Sequence, residues 1–353
     1  MTAINFTERL TINEVADLIV SCPDVRVLVR GEPGIGKSSL GGILQKMTGY
    51  PMTYIDCASL ELGDLQIPGV DKELGVAVQF PMKRLNLHLG GPIILVLDEL
   101  LKAMPAVQNT LHPTLESFRP RIGDYYLPEN SIIVITSNLG SDGVGDTLKA
   151  HTRMRVVEIE MAKPTADVWI PWAIENNVNA ELISWVHMTP EVLASYRDPG
   201  NEDNGFIFHP KRPNQAYVTG RTLERAGLLM DAKDKFTPRA LHMALRGCIG
   251  PAGAESLLAF SKFASQITSF ERAVADPMNA PLPTSAGACA MVTFGAIQKV
   301  TKQTLAPFMQ YVMRMELVWQ SVFCINLAKS AKQDIAFKCA EFSHWAANNQ
   351  DLL

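Results

Sequence analysis

The sequence predicts an α/β domain built on a parallel sheet, followed by an α-helical domain and a helical C-terminal extension. Three observations predict it. Short apolar runs rich in Val and Ile alternate with helical stretches up to about residue 163, helical periodicity dominates from Pro164 onward, and a glycine-rich turn joins the first strand directly to a helix. The chain has 353 residues and is 47% apolar, enough for a sizeable core and more than one domain.

In order, residues 1–24 read as an amphipathic helical lead-in, with Thr11 or Asn13 as its cap and Val15, Leu18 and Ile19 on one face. Val25–Val29 is a short strand closed by Arg30, and a helical pattern runs from Lys37 to about Thr48. Met52–Asp56 is a second strand. Ile93–Leu97 is continuously apolar, as a parallel strand covered on both faces must be; Ser131–Thr136 is another such run, and Arg155–Ile159 a weaker fifth. Beyond Pro164, a polar loop at Arg197–Gln215 and a Pro- and Ala-rich stretch at Asp276–Ala288 interrupt the helices. The domain boundaries follow: 1–163, 164–275, and 276–353 as linker plus helical extension.

Composition removes several classes. The net charge is -4 and no basic, aromatic-interleaved stretch occurs, which argues against a nucleic-acid binder. The six cysteines form no CxxC pair and no secretory signal opens the chain, so reduced thiols in the cytoplasm are expected. Apolar runs such as Pro92–Leu97 fall far short of the ~20 residues of a membrane helix. The seven histidines are scattered without metal-ligand spacing. Met313 and Met315, near Tyr311 and Trp319, read as core, and Lys211-Arg212 as a solvated loop.

The chemistry concentrates in two motifs. Gly31-Glu32-Pro33-Gly34-Ile35-Gly36-Lys37-Ser38 fits the phosphate-loop pattern G-x-x-x-x-G-K followed by Ser or Thr, with a strand entering and a helix leaving through Ser39. Its glycines let backbone N–H groups face phosphates at a positive helix end. Lys37 reaches the β and γ phosphates, and the Ser38 hydroxyl is a hard oxygen ligand for Mg²⁺. The second motif is Ile93–Leu97 followed by Asp98-Glu99, two carboxylates at the C-terminal end of a strand. Asp98 suits the Mg²⁺ shell and Glu99 the polarisation of an attacking water. A third strand ends in Ser137-Asn138, where an amide beside the γ-phosphate would orient that water.

With these residues in hand, the chain resembles the AAA+ superfamily of P-loop ATPases, and within it the MoxR-like group. Asp98–Leu111 is similar to that group's acidic motif and following helix, and Glu116, Gly123 and Leu127-Pro128 continue the match to Asn138 at the sensor-1 position. Residues 56–81, with Asp64-Leu65 and a hairpin around Gly69–Gly75, are similar to the helix-2 insert. The likeness runs over roughly 25–165 and more thinly through 166–275.

The resemblance implies an ATP hydrolase with ATP and Mg²⁺ as cofactors, in a ring, a hexamer in this family. It implies a trans-acting arginine finger at Arg153, with Met154 replacing the usual phenylalanine and Arg155 as the rival. It implies a sensor-2 arginine on a helical lid at 164–275, either Arg221, preceded by Gly220 instead of the usual proline, or Arg239. It further implies chaperone-like remodelling of a protein client, alongside a partner carrying a von Willebrand factor A domain. A nucleic-acid motor or loader, and an ATP-gated scaffold with little turnover, are the alternatives.

Overall fold

A computed structural model describes residues 9–139, 150–263 and 267–352. The chain divides into two compact units, Met1–Lys163 and Pro164–Leu353.

The first unit opens with α1 (Ile12–Ser21). Thr11 caps it through a reciprocal box in which its side chain accepts from Glu14 N and the Glu14 carboxylate accepts from Thr11 N. The part of the lead-in before Arg9 lies outside the described residues. Then follow β1 (Val27–Gly31), α2 (Leu40–Thr48) and β2 (Met52–Asp56). The insert hairpin is β3 (Gln66–Asp71) and β4 (Val76–Pro81), and β5 (Ile94–Asp98) and α3 (Pro105–Leu111) come next. A small ribbon of β6 (Arg121–Ile122) and β7 (Tyr125–Tyr126) precedes β8 (Ile132–Asn138), α4 (Ala150–Arg153) and β9 (Val157–Glu160).

Five strands form one parallel sheet in the order β2-β5-β8-β1-β9. Alternation along the strands explains the unbroken apolar runs. Val27, Val29, Ile94, Val96, Ile132 and Val134 face a core shared with Val15, Ile19, Leu40 and Leu44 of α1 and α2. Leu28, Leu95, Leu97, Ile133 and Ile135 face the opposite core, with Val107 and Leu111 of α3. Covering both faces leaves no polar side to the central strands. Two strands start two residues later than in the sequence reading, and β5 and β8 one residue later. β9 begins at Val157 because Arg155 turns aside to bond Glu116 at 2.8 Å, and β1 begins at Val27 because Val25 closes a turn onto Cys22.

The insert leans on the small ribbon. Gln79 N donates to Asp124 Oδ2 at 2.7 Å, and the Phe80 and Tyr125 rings lie 5.8 Å apart. Gly123 makes this approach possible: its φ is +60°, and a Cβ there would stand 2.6 Å from Gln79 O. On the hairpin, Ile67, Val70, Leu74 and Val76 are exposed.

The second unit comprises α5 (Ala166–Glu175), α6 (Ala180–Met188), α7 (Gly220–Asp231), α8 (Pro238–Ser261) and α9 (Phe270–Ala275), then α10 (Ala286–Lys299), α11 (Leu305–Val312), α12 (Leu317–Ala328), α13 (Gln333–Phe337) and α14 (Ala340–Asn348). One apolar cluster runs from Ala166 to Trp345. Residues 276–353 therefore complete the core of 164–275 and do not stand apart as an appendage. Polar side chains fasten the segment between them. Arg314 Nη1 donates to the carbonyls of Pro277 and Ala280 at 2.7 and 2.9 Å, and Tyr311 OH to that of Pro281 at 2.7 Å. Lys332 Nζ caps the end of α10, donating to the carbonyls of Ile297, Gln298 and Val300 at 3.0, 2.6 and 2.9 Å. Gly250 breaks α8 with φ +79° and ψ 168°.

Candidate active site

The sheet brings the motifs together at one edge. Gly31 ends β1 and stands in register with Asn138 of β8. Asp98 ends β5 in register with Asp56 of β2, and β5 and β8 are neighbours. The loop 31–38 leaves this edge and returns as α2. Gly34 and Gly36 take φ of +74° and +95°, a region L side chains rarely enter. α2 can lie close to the sheet because position 41 is glycine; a Cβ there would meet Val96 Cγ2 at 2.8 Å.

Lys37 is buried, and its ammonium donates to Gly31 O at 2.9 Å, Glu32 O at 2.8 Å and Asn138 Oδ1 at 2.8 Å. Asn138 uses both ends of its amide: Nδ2 donates to Glu99 Oε1 at 2.9 Å. A cation on one side and a carboxylate on the other fix which end is oxygen. Glu99 also pairs with Lys102 through Oε2. Its backbone sits in the left-handed region, φ 52° and ψ 38°, a conformation that costs a non-glycine residue about 1 kcal/mol or more and persists where neighbours impose it. Asn138 and Lys102 are those neighbours, and the turn swings the carboxylate back over the strand end.

Asp98 is held on both oxygens. Ser38 Oγ donates to Oδ2 at 3.3 Å, Tyr54 OH donates to the same oxygen, and Thr136 Oγ1 donates to Oδ1. Burial of the phenol, reinforced by the Asp98 carboxylate, pushes the Tyr54 pKa up to about 12. Cys57 beside them is buried, and burial together with Asp98 and Asp56 pushes its thiol up to about 12, so it stays protonated and unreactive. Tyr54, Thr136 and Lys102 have no place in the sequence reading. The signals were faint: Tyr54 and Asp56 alternate on one strand, Thr136 lies two residues before Asn138, and Lys102 three residues after Glu99.

Gly31, Glu32, Pro33, Gly34, Ile35, Gly36, Lys37, Ser38, Ser39, Asp98, Glu99 and Asn138 thus share one sheet edge. The arginines lie elsewhere. Arg153 ends α4 and is exposed, while Arg155 is ion-paired with Glu116 at 2.8 Å. The residues from Gly140 that lead into α4 lie outside the described residues. Arg221 and Arg239 belong to the second unit, both exposed in the first turns of α7 and α8. A buried ammonium, a hydroxyl beside a carboxylate and a second carboxylate fixed by an amide form a donor set suited to a polyphosphate and to proton removal from water.

The class defined is a P-loop fold of the AAA+ kind, a parallel five-stranded sheet with helices on both faces followed by a helical region. Residues 26–155 match the family of the AAA domain, dynein-related subfamily. No curated protein matches the chain. Solved structures similar to it include NtrX from Brucella abortus in complex with ADP, 14% identical over 97% of this chain and 67% of that one, TM-score 0.37. The RuvB Holliday junction branch migration motor of Thermotoga maritima is 15% identical over 86% of each chain, TM-score 0.36. An Hsp104–ADP complex from S. cerevisiae is 15% identical over 67% of this chain, TM-score 0.37, and the chain spans only 36% of it.

Proposed function

We propose that the chain is a MoxR-like AAA+ ATPase that hydrolyses Mg-ATP in a ring and uses the cycle to remodel a protein client. The observation that carries this reading is the line Lys37–Asn138–Glu99, a phosphate-binding cation coupled through one amide to a general base. Lys37 exchanges its carbonyl partners for β and γ phosphate oxygens, and the backbone N–H groups of 31–38 line the phosphate chain. Asn138 holds Glu99 in place, and Glu99 accepts the proton of the attacking water; such a base contributes about 10²–10⁴ in rate. Lys102 balances Glu99 from the opposite side.

Ser38 and Asp98 fit a magnesium ion, being adjacent hard oxygen donors 3.3 Å apart. When bound, Mg²⁺ supplies charge that neutralises the phosphates, with nucleotide oxygens and waters filling the remainder of its shell.

Arg153 is the better trans finger, because it is exposed at the end of α4 whereas Arg155 is engaged by Glu116. A site completed from the next subunit needs a head-to-tail interface, and such interfaces can close into rings. The hexamer, the von Willebrand factor A partner and the lid role of Arg221, with Arg239 as rival, rest on the resemblance, and the cytoplasmic setting on the cysteine pattern. The exposed Ile67, Val70, Leu74 and Val76 of the insert suit an apolar stretch of unfolded client.

The test is steady-state ATP hydrolysis of wild type beside Glu99→Gln and Arg153→Ala, with solution mass measured with and without ATP. Wild type turns over and assembles, Glu99→Gln binds ATP but stalls as a ring, and Arg153→Ala assembles yet loses about 10³-fold or more in rate. A wild type that stays monomeric and hydrolyses nothing overturns the ring ATPase. Stimulation by DNA in place of unfolded protein replaces the client with a nucleic acid.

A further inference from the structure

The Tyr54 hydroxyl donates to Asp98 Oδ2, the same oxygen that accepts from Ser38, so it stands against both residues assigned to the metal. Strand alternation puts it there. Met52 packs against α2, its Sδ 3.4 Å from where a Gly41 Cβ would stand, so Met52 and Tyr54 share the α2 face of β2. Tyr54 lies one pleat nearer the strand's C-terminal end, and Ser38 lies three residues before Gly41. The phenol therefore rises beside α2 into the phosphate-loop edge.

Besides Ser38, two hydroxyls hold Asp98, and their surroundings differ. Thr136 is 0% exposed, on a central strand, and has nowhere to go. Tyr54 is 46% exposed, on an outer strand, with about half of the side chain open to solvent. A buried threonine fixes the carboxylate permanently, whereas an exposed phenol leaves by a rotation about its own side-chain bonds at little packing cost. A hydrogen-bonding proton and a divalent cation compete for the same Asp98 oxygen.

Building on the nucleotide-site reading above, we propose that Tyr54 is a metal-site placeholder: its hydroxyl occupies the Asp98 oxygen beside Ser38 before loading and yields to the incoming divalent cation. Tyr54 is a positioning residue that sets how much Mg²⁺ the site requires. Without the phenol, Ser38 and Asp98 would remain preformed, because Thr136 still holds Asp98. The cation would then have one competitor fewer.

Mg²⁺ titration of ADP binding by calorimetry, on the full chain and on Tyr54→Phe, tests this. ADP avoids turnover, and binding in EDTA gives the metal-independent affinity. Tyr54→Phe lowers the Mg²⁺ concentration for half-maximal enhancement roughly three- to tenfold, the weight of one competing hydrogen bond. Its affinity in EDTA stays within about twofold of wild type. Adding Mg²⁺ to wild type with ADP gives an ultraviolet tyrosine difference spectrum that the variant lacks. An unchanged or raised Mg²⁺ requirement in the variant, with wild type binding Mg-ADP normally, overturns the placeholder alone. A variant that loses ADP binding in EDTA also overturns it, because Tyr54 would then be structural. A wild type that binds no ADP under either condition overturns the nucleotide site and the placeholder with it.

Discussion

Two lysines, Lys37 buried and Lys332 half-buried, make the same kind of bonds in different settings. In the first unit, Lys37 Nζ donates to two loop carbonyls and to the Asn138 amide. In the second, Lys332 Nζ donates to three carbonyls at the end of α10. Both ammonium groups find three oxygens, so local hydrogen bonding does not tell them apart. The difference lies in what the partners can do. The acceptors of Lys332 end a helix whose residues Cys289–Val292, Phe294, Ala296 and Ile297 are buried in the unit's core, so the lysine is a fixed cap. The acceptors of Lys37 are a loop bent by two positive-φ glycines and an amide that also grips a carboxylate. That ammonium can be handed to a phosphate.

The largest effects separate these two lysines. Lys37→Ala is expected to weaken ATP binding at least about 100-fold, through loss of charge-assisted bonds of ~1.5–3 kcal/mol each, with little change in melting temperature. Lys332→Met is expected to do the reverse. It leaves α10 carbonyls short of partners at a cost of about 1–3 kcal/mol, and leaves ATP affinity alone. Calorimetry and thermal melts on both variants decide; a Lys332 variant defective in nucleotide binding would erase the contrast. Of similar size for stability is Gly250→Ala. Its φ is +79° and the new Cβ would stand 2.3 Å from Ala216 O, so the second unit should lose ~2–4 kcal/mol. Denaturant unfolding measures it, and a silent substitution would show that α8 can straighten.

The smallest effect is pH dependence in the second unit. His187 packs edge-on to Phe294 and Trp319 at 5.3 and 6.0 Å. Burial lowers its pKa, with Asp167 opposing. The unfolded chain therefore takes up the proton first as pH falls. Stability is fully present above the unfolded value of about 6.5 and declines as pH drops through it toward the folded value. Melting temperatures of wild type and His187→Phe at pH 7.5 and 5.5 should converge on the acid dependence of this one group. An identical acid loss in both would place it elsewhere.

Much of the candidate active site was legible because its residues are contiguous: eight in the phosphate loop, and Asp98-Glu99 behind an apolar run. The central strands were legible for a related reason, since a strand covered on both faces reads as unbroken Val, Ile and Leu. Arg155 shows the limit. Beside Arg153 in sequence it is a rival candidate, and Glu116, brought up by folding, engages it.

By itself, the sequence determined the parallel sheet, the phosphate loop, the paired carboxylates and the amide at the third strand end. Each is written in local order, through backbone geometry or strand periodicity. Only the tertiary structure decided that Thr136 and Tyr54 share Asp98 between them, that Asn138 joins Lys37 to Glu99, and that residues 276–353 complete one core with 164–275. Those contacts depend on which strands lie side by side and in what register, and on how helices pack across long stretches of chain. A side chain meets such partners through the fold, and no spacing along the chain encodes them.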